Sequence, residues 1–369
     1  MWASLDTAQG DLRAISLDSI EEAGGIRPAV DPALDAVGRA DTWISSPFLS
    51  PLRAVPVLGS QVEGAQAMVD RLAVVAGAGD AALDQVEAGL ARTGEPGGRV
   101  ELLTTAIGAL DHVEATVAAL PEPDTDGLLG PLDSVQQRLE AELDELPERF
   151  DELRGHLVTA HDVLAGPTRV LLLAGNNAEM RAGTGMHLSA GVITIEDGDF
   201  EASPFFPTGR ITTRTEGRAE VPDDVAALHG GIWDVGKEWR TTSTTPDFPT
   251  AGASFDQLAE LAPIGPVDMV VSLDVPALAM MLDATGPVEV DGEVVSSANA
   301  VDLLLRDNYL RMGEESEANE RRDLQSRIAG TIFETVTERD LDIVDLAASL
   351  TRAAEGRNLM GWSEDPGVQ

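Results

Sequence analysis

The hydrophobic periodicity of this chain changes once, near residue 166, and that change constrains its fold more than any other feature. Before it, apolar residues recur every three or four positions. One series runs from Val62 through Ala65, Val69 and Leu72 to Leu90, a second from Val100 through Leu103, Ile107 and Leu110 to Leu120, and a third from Leu132 through Val135 and Leu139 to Leu164. Each draws an apolar stripe along one helix face, with Asp, Glu and Arg opposite. Gly94-Glu95-Pro96-Gly97-Gly98 and Pro121-Glu122-Pro123-Asp124 separate them. The spacing predicts three long helices, two shorter ones within residues 3–46, and a connector from Pro51 to Gly59. Asp133 and Ser134 stand where a cap of the third helix is expected, and Pro147 predicts a kink or restart. Residues 1–166 therefore read as an antiparallel helical bundle or coiled-coil stalk.

From Pro167 the pattern is different. Arg169 to Ala174 is a short apolar run that ends in Gly175-Asn176-Asn177, the signature of a buried strand and its loop. His187 to Ile195 reads as a second strand that turns at Glu196-Asp197-Gly198-Asp199. Val267 to Leu273 reads as a third, followed by a helix with Pro276 in its first turn and Gly286 at its end. Val288–Val290 and Val294-Val295 flank the turn Asp291-Gly292. Ser297 is placed to cap a helix carrying Val301 and Leu304, and two further helices follow, over Leu324–Val336 and Ile343–Ala354. Strands interleaved with helices make residues 167–369 an α/β domain with αβα layers.

Composition narrows function. The net charge of −39 leaves no basic face for general nucleic-acid binding. Absence of cysteine excludes disulfides, thiolate metal sites and cysteine nucleophiles. The five histidines form no H-E-x-x-H pair, and no apolar run reaches the roughly 18–20 residues of a membrane span. One lysine, Lys237, stands against 24 arginines, a composition that points to a GC-rich genome.

Anion chemistry is the most specific candidate. The loop Asn176 to Gly185 leaves the carboxyl end of a strand, where α/β sheets place ligands, and carries Asn177, Arg181 and Thr184. It is not a phosphate-binding P-loop, because the Gly-Lys-Ser/Thr signature is missing. Arg210, Arg214 and Arg218 follow at four-residue spacing. They fit either a pyrophosphate clamp or surface ion pairs. Arg321 and Arg322, with Gln325 one turn on, lie early in a helix, where the dipole disfavours cations; a ligand facing them would explain the misfit. Arg240 lies in a segment from Trp233 to Pro249, rich in Trp, Thr and Pro, that either lines a site or packs over the sheet.

Several blocks together resemble a family of actinobacterial envelope proteins known as domain of unknown function 4012. They are LLLAGNNAEMRAGTG, GVITIEDGDF, TTPDFPTAG, GPVDMVVSLDVPALAMMLDATGPVEV, SSANAVDLLL and NERRDLQ. A more distant likeness is to the LytR–CpsA–Psr family, which transfers glycopolymers from polyprenyl-pyrophosphate carriers to the cell wall. Arg181, Arg210, Pro266-Val267-Asp268, Thr285 to Val290, and Arg321, Arg322 and Gln325 carry it. The likeness implies an extracytoplasmic protein, membrane-anchored through an amino-terminal span before Trp2, that binds a polyprenyl-linked glycan or cell-wall polymer. It assigns catalytic roles to Arg181, Arg210 and Arg322 and substrate binding to Arg181, Arg210, Arg321, Arg322 and Gln325, to which the loop and arginine patterns above add Asn177, Thr184, Arg214 and Arg240 as substrate-binding candidates. It also implies Mg2+, yet the aspartate expected after Arg181 is replaced by Ala182-Gly183-Thr184, leaving Asp197 or Asp268 as substitutes. Two readings stay open: a glycopolymer phosphotransferase, and a non-catalytic scaffold or glycan/lipid-binding module on a helical stalk. Self-association through the helical region is a further expectation.

Overall fold

In the computed structural model, described over residues 26–49, 55–122, 128–211, 217–312, 318–338 and 343–368, the chain divides into two compact units, Met1–His161 and Asp162–Gln369. Among the described residues of the first unit are four helices: α1 (Ile26–Ile44), α2 (Pro56–Leu90), α3 (Gly98–Ala118) and α4 (Gly130–Ala165), whose last turn belongs to the second unit. Arg27 at the start of α1 bonds Asp80, Asp84 and Glu87 near the end of α2, while Ile44 at the other end of α1 packs with Ala65 and Val69. Those contacts make α1 and α2 antiparallel. Gln61 accepts from the Leu129 N–H and Arg71 pairs with Glu140, so α4 runs beside α2 in the same direction.

Three local expectations are corrected here. The helix α4 starts at Gly130, so Asp133 and Ser134 lie inside its first turns, and the Ser134 hydroxyl donates back to the Gly130 carbonyl at 2.7 Å. The helix also continues through Pro147 without restarting. The missing proline N–H costs one backbone hydrogen bond, and a helix this long holds its remaining ladder on either side. The connector ends early, because Pro56 already occupies the first turn of α2, where a missing N–H costs nothing. The first of the two short helices expected before residue 46 lies outside the described residues.

The second unit is built on a mixed sheet. Its strands are β1 (Thr168–Asn176), β2 (Met186–Glu196), β3 (Asp199–Ala202), β4 (Phe206–Pro207) and β5 (Met269–Leu273), with β8 (Leu359–Ser363) at the far edge. The order is β3-β2-β1-β5-β8, with β4 also on β2. Only the β1–β5 pair is parallel; the other pairings are antiparallel. The type of hairpin between β2 and β3 follows from Asp197 and Gly198, both at positive φ.

Alternation along β1 splits the core into two layers. Val170 and Leu172 face a cluster built by α7 (Val275–Thr285), the hairpin strands β6 (Val288–Val290) and β7 (Glu293–Val295), a helical run over 300–311 (α8), α9 (Ala318–Glu338) and α10 (Ile343–Glu355). Leu171 and Leu173 face the other cluster, in which α6 (Phe248–Leu261) places Phe255 and Leu258 beside Trp239. A short helix, α5 (Asp223–Trp233), precedes them. The central strand is thus covered on both faces, which is why it reads as a continuous apolar run. Trp239 and Phe248 pack over the sheet, the second of the two readings offered for that segment. The strand β8 and helix α6 were not legible in the sequence. Ser297 does not cap α8: Asn299 immediately precedes it, its side chain accepting from the Ser296 N–H at 2.7 Å.

Candidate functional site

The parallel neighbours β1 and β5 end at Asn176 and Leu273, with Asp274 next in the chain, and the loop from Asn177 to Gly185 starts there. Three side chains fix its path. Asn176 accepts from the Ala178 N–H at 2.8 Å, which turns the chain locally. The Asn177 amide donates to Asp274 at 2.9 Å and accepts from the Val275 N–H at 3.3 Å. Asp274 in turn caps α7 through the Ala277 N–H at 3.0 Å. Gly185, with φ of 81°, closes the loop against the Asn176 carbonyl, where a Cβ would lie 2.4 Å from that oxygen. The loop is clamped to the ends of both parallel strands.

Beneath it sits a buried polar knot. Thr184, His187 and Ser272 are each at most 3% exposed. His187 Nε2 lies 2.7 Å from the Ser272 hydroxyl and 3.0 Å from that of Thr184, and the two hydroxyls also bond each other. Burial drives the His187 pKa down to about 3, so the ring is neutral at physiological pH. A base that weak, sealed from solvent, is a structural clasp rather than a general base.

This clasp makes folding acid-sensitive. The unfolded state binds a proton at His187 near pH 6.5 and the folded state near pH 3, so between them stability falls as pH falls. From pH 7 to pH 5 the loss from this group is about 2 kcal/mol. Urea unfolding at the two pH values measures it. In His187→Asn this component of the pH dependence disappears, although the variant is less stable at pH 7; an undiminished pH slope in the variant contradicts the assignment.

Above the clasp, charged groups from distant segments meet. The Tyr309 hydroxyl donates to Glu179 at 2.8 Å and accepts from Asn176 at 3.1 Å. Burial, then the bond to Glu179, pushes the Tyr309 pKa up to about 12. The Arg321 guanidinium stacks 4.3 Å from the centre of the Tyr309 ring, and the Gln325 amide lies beside the same hydroxyl. Arg321 also donates to the Met312 carbonyl at 2.6 Å. On the other side of Glu179, Arg181 shares the fields of Glu179, Arg240 and Glu238. Burial, together with positive Arg240, lowers its pKa, although an arginine stays protonated at neutral pH. Arg240 grips Glu238 with two bonds, at 2.8 and 2.9 Å.

Arg240 also lies against Gly209, next to Arg210. Arg210 reaches Asp323 on α9, with oxygens at 2.8 and 3.0 Å. On the same helix Arg322 precedes Ser326 by one turn, and Ser326 bonds Ser189 of β2 at 2.7 Å. A chain of contacts therefore runs from Arg181 through Glu179, Tyr309 and α9 to Arg210 and Arg240. Arg181, Arg240, Arg321 and Gln325 are brought to this end of the sheet, with Arg210 at its margin and Arg322 on the inner face of α9. Asn177 and Thr184 are also there, engaged in the clamp and the clasp. Arg214 lies outside the described residues.

Residues 165–309 match the family model described as Protein of unknown function (DUF4012). This segment is similar to the DUF4012 family. No curated protein matches the chain. The match to the DUF4012 model closes at Tyr309, so Arg321, Arg322 and Gln325 join the site from beyond the matched residues.

Several polar atoms are left unsatisfied here. Nε of Arg321 and of Arg322 and both amide atoms of Asn308 are buried without a hydrogen-bond partner. Buried polar groups ordinarily find partners, and such a concentration marks a place that a ligand or water completes. Asn308 follows a π-turn, Leu303–Asp307, a distortion common at functional sites.

The aspartates considered as metal ligands sit at the wrong end of the sheet. Asp268 accepts from the Arg169 N–H at the start of β1, and Asp197 is in the β2–β3 turn. Among the described residues, Glu179, Glu238, Asp274 and Asp323 are carboxylates at the arginine end, each holding a donor described above. Among the described residues no group of three or more histidines, aspartates and glutamates is arranged to hold a metal ion.

Sequence reasoning missed Tyr309, Glu179, His187, Ser272 and Asp274. One signal was available: Tyr309 is the sole tyrosine of the chain. The others announce themselves only through their partners in space.

Proposed function

We propose that the α/β unit binds the phosphate-bearing headgroup of a polyprenyl-linked glycan, in the manner of the LytR–CpsA–Psr family, as part of an extracytoplasmic, membrane-anchored envelope protein. The observation that carries this reading is the pair of buried guanidinium nitrogens at Arg321 and Arg322 left without partners, at the end of the sheet where Arg181 and Arg240 also gather. Guanidinium forks suit phosphate oxygens, and partial burial strengthens the attraction.

A cleft of about 660 Å3 supports the lipid part of the reading. Arg210 stands on its wall, with Val192, Pro204, Phe206, Ile211 and Ile264 supplying apolar surface. Its volume suits a drug-sized apolar group or a comparable length of isoprenoid chain. If an acceptor hydroxyl attacks the glycan-bearing phosphorus, its oxygen bonds to that phosphorus, the bond to the bridging oxygen breaks, polyprenyl phosphate leaves, and the hydroxyl proton passes to the leaving phosphate or to solvent. The arginines would then neutralise charge on the leaving group.

A specific observation favours the non-catalytic alternative. Ala182 stands where the likeness requires an aspartate, and Glu179, Glu238, Asp274 and Asp323 nearby already hold donors. Both readings share headgroup binding, so binding is the first test. Titration with a short-chain polyprenyl diphosphate is expected to show saturable binding that Arg181→Ala weakens about tenfold, the loss of one charge-assisted contact. Unchanged affinity in the variant, or no binding by the wild type, overturns the proposal. Release of polyprenyl phosphate from a lipid-linked glycan would select the transferase reading over the binding module.

A further inference from the structure

The corner between α1 and α2 has a composition unlike the rest of the molecule. Of the 21 residues between Asp41 and Glu63, only Arg53 is charged. At the chain's overall charged content of 24%, about five would be expected, most of them acidic. The segment carries instead Trp43, Ile44, Phe48, Leu49, Leu52, Val55, Val57 and Leu58. Of the described side chains, only part enters the core. Ile44 is buried against Ala65 and Val69, whereas Phe48 is 92% exposed, Trp43 52%, Val55 44% and Leu58 43%.

Phe48 sits in a short turn of 3-10 helix, Pro47–Leu49, that ends the α1 side, and Val55 immediately precedes α2. Leu129, itself half-exposed, donates its N–H to Gln61 one turn beyond Leu58, which extends the apolar surface. Scattered single hydrophobic residues on a surface need no explanation, but two aromatic and three aliphatic side chains at one corner do.

We infer that this corner is a membrane-contact surface that seats in the interfacial region of a lipid bilayer. Charge is the first argument. A body of net charge −39 is repelled by anionic lipid, and this is the longest stretch of the sequence without an acidic residue; the charge it keeps is positive. Side-chain type is the second, since Trp and Phe on a projecting segment favour the headgroup boundary. Area is the third. The exposed parts of these five side chains amount to on the order of 500 Å², short of the roughly 800 Å² per partner of a stable dimer. Insertion of a small apolar tip needs no such complementary face. The inference does not depend on the headgroup site of the α/β unit.

Flotation of the full chain with phosphatidylcholine vesicles, with and without a minority of phosphatidylglycerol and free of polyprenyl lipid, tests it. The wild type is expected to float with both. The double variant Trp43→Ser, Phe48→Ser is expected to lose vesicle binding at least tenfold with unchanged helical circular dichroism. Leu153→Ser, which changes an exposed leucine on α4, is expected to bind as the wild type does. The inference is overturned by failure of the wild type to bind either vesicle or by equal losses in Leu153→Ser. It is also overturned if the double variant abolishes a dimer seen by analytical ultracentrifugation while vesicle binding persists. Because the vesicles contain no polyprenyl lipid, these outcomes leave the headgroup proposal untouched.

Discussion

Arg321→Ala is expected to lower the affinity for a polyprenyl diphosphate by on the order of a hundredfold, more than any other single arginine change. Arg321 is 8% exposed, and its guanidinium is held between the Tyr309 ring at 4.3 Å and the Met312 carbonyl. A group already fixed by stacking loses little conformational freedom when it binds, so truncation forfeits nearly all of its attraction. Two further variants sharpen the result. Arg321→Lys is expected to recover little, because an ammonium has neither the fork nor the flat face that stacks on tyrosine. Tyr309→Phe keeps the stacked ring but removes the hydroxyl that joins Glu179 and Asn176, so it is expected to weaken binding less than Arg321→Ala. Isothermal titration of the three variants gives the order. Wild-type affinity in Arg321→Ala would remove α9 from the site.

Phe255→Ala is expected to destabilise the α/β unit by about 4 kcal/mol, within the range for emptying a buried aromatic site. Phe255 is fully buried on α6, edge-on to His187 at 4.9 Å and 5.8 Å from Trp239. Its loss opens a cavity beneath the clasp of Thr184, His187 and Ser272, so looser packing reaches the loop that carries Arg181. Urea unfolding measures the stability change, and hydrogen exchange over residues 176–186 measures the loosening. Destabilisation with unchanged exchange in that loop would separate the layer beneath the sheet from the site above it. A loss below about 1 kcal/mol would mean that the core repacks around the cavity.

Much of the fold follows from periodicity read along the chain. The stripes at Val62–Leu90, Val100–Leu120 and Leu132–Leu164 coincide with α2, α3 and α4, because a helix buries one face and its spacing records that face. The Asp-Gly turns at 197–198 and 291–292 were equally legible, since left-handed backbone selects those residues. Edge strand β8 was not. Leu359, Met360, Gly361 and Trp362 carry no alternation, and the segment is a strand because β5 offers it a backbone edge. The start of α8 was misread for a related reason: Ser297 and Asn299 both suit a cap, and the chain chooses between them through the Asn299 bonds to Ser296 and Val294.

The candidate site divides along the same line. Residue types gave the arginines at 181, 240, 321 and 322, because guanidinium groups in Gly-rich loops and early helical turns are chemically conspicuous in so acidic a chain. Their partners were hidden. Asp323 meets Arg210 across 113 positions, Tyr309 meets Glu179 across 130, and Ser272 meets Thr184 across 88. By itself, then, the linear order of residues determined two regions of different periodicity, the central strands and the cationic chemistry, since local propensity and burial pattern act over a few neighbours. Tertiary structure alone decided which end of the sheet holds the charges, which carboxylates are engaged and which buried nitrogens are left open. Those depend on strand order and helix docking, which bring together side chains that no local spacing relates.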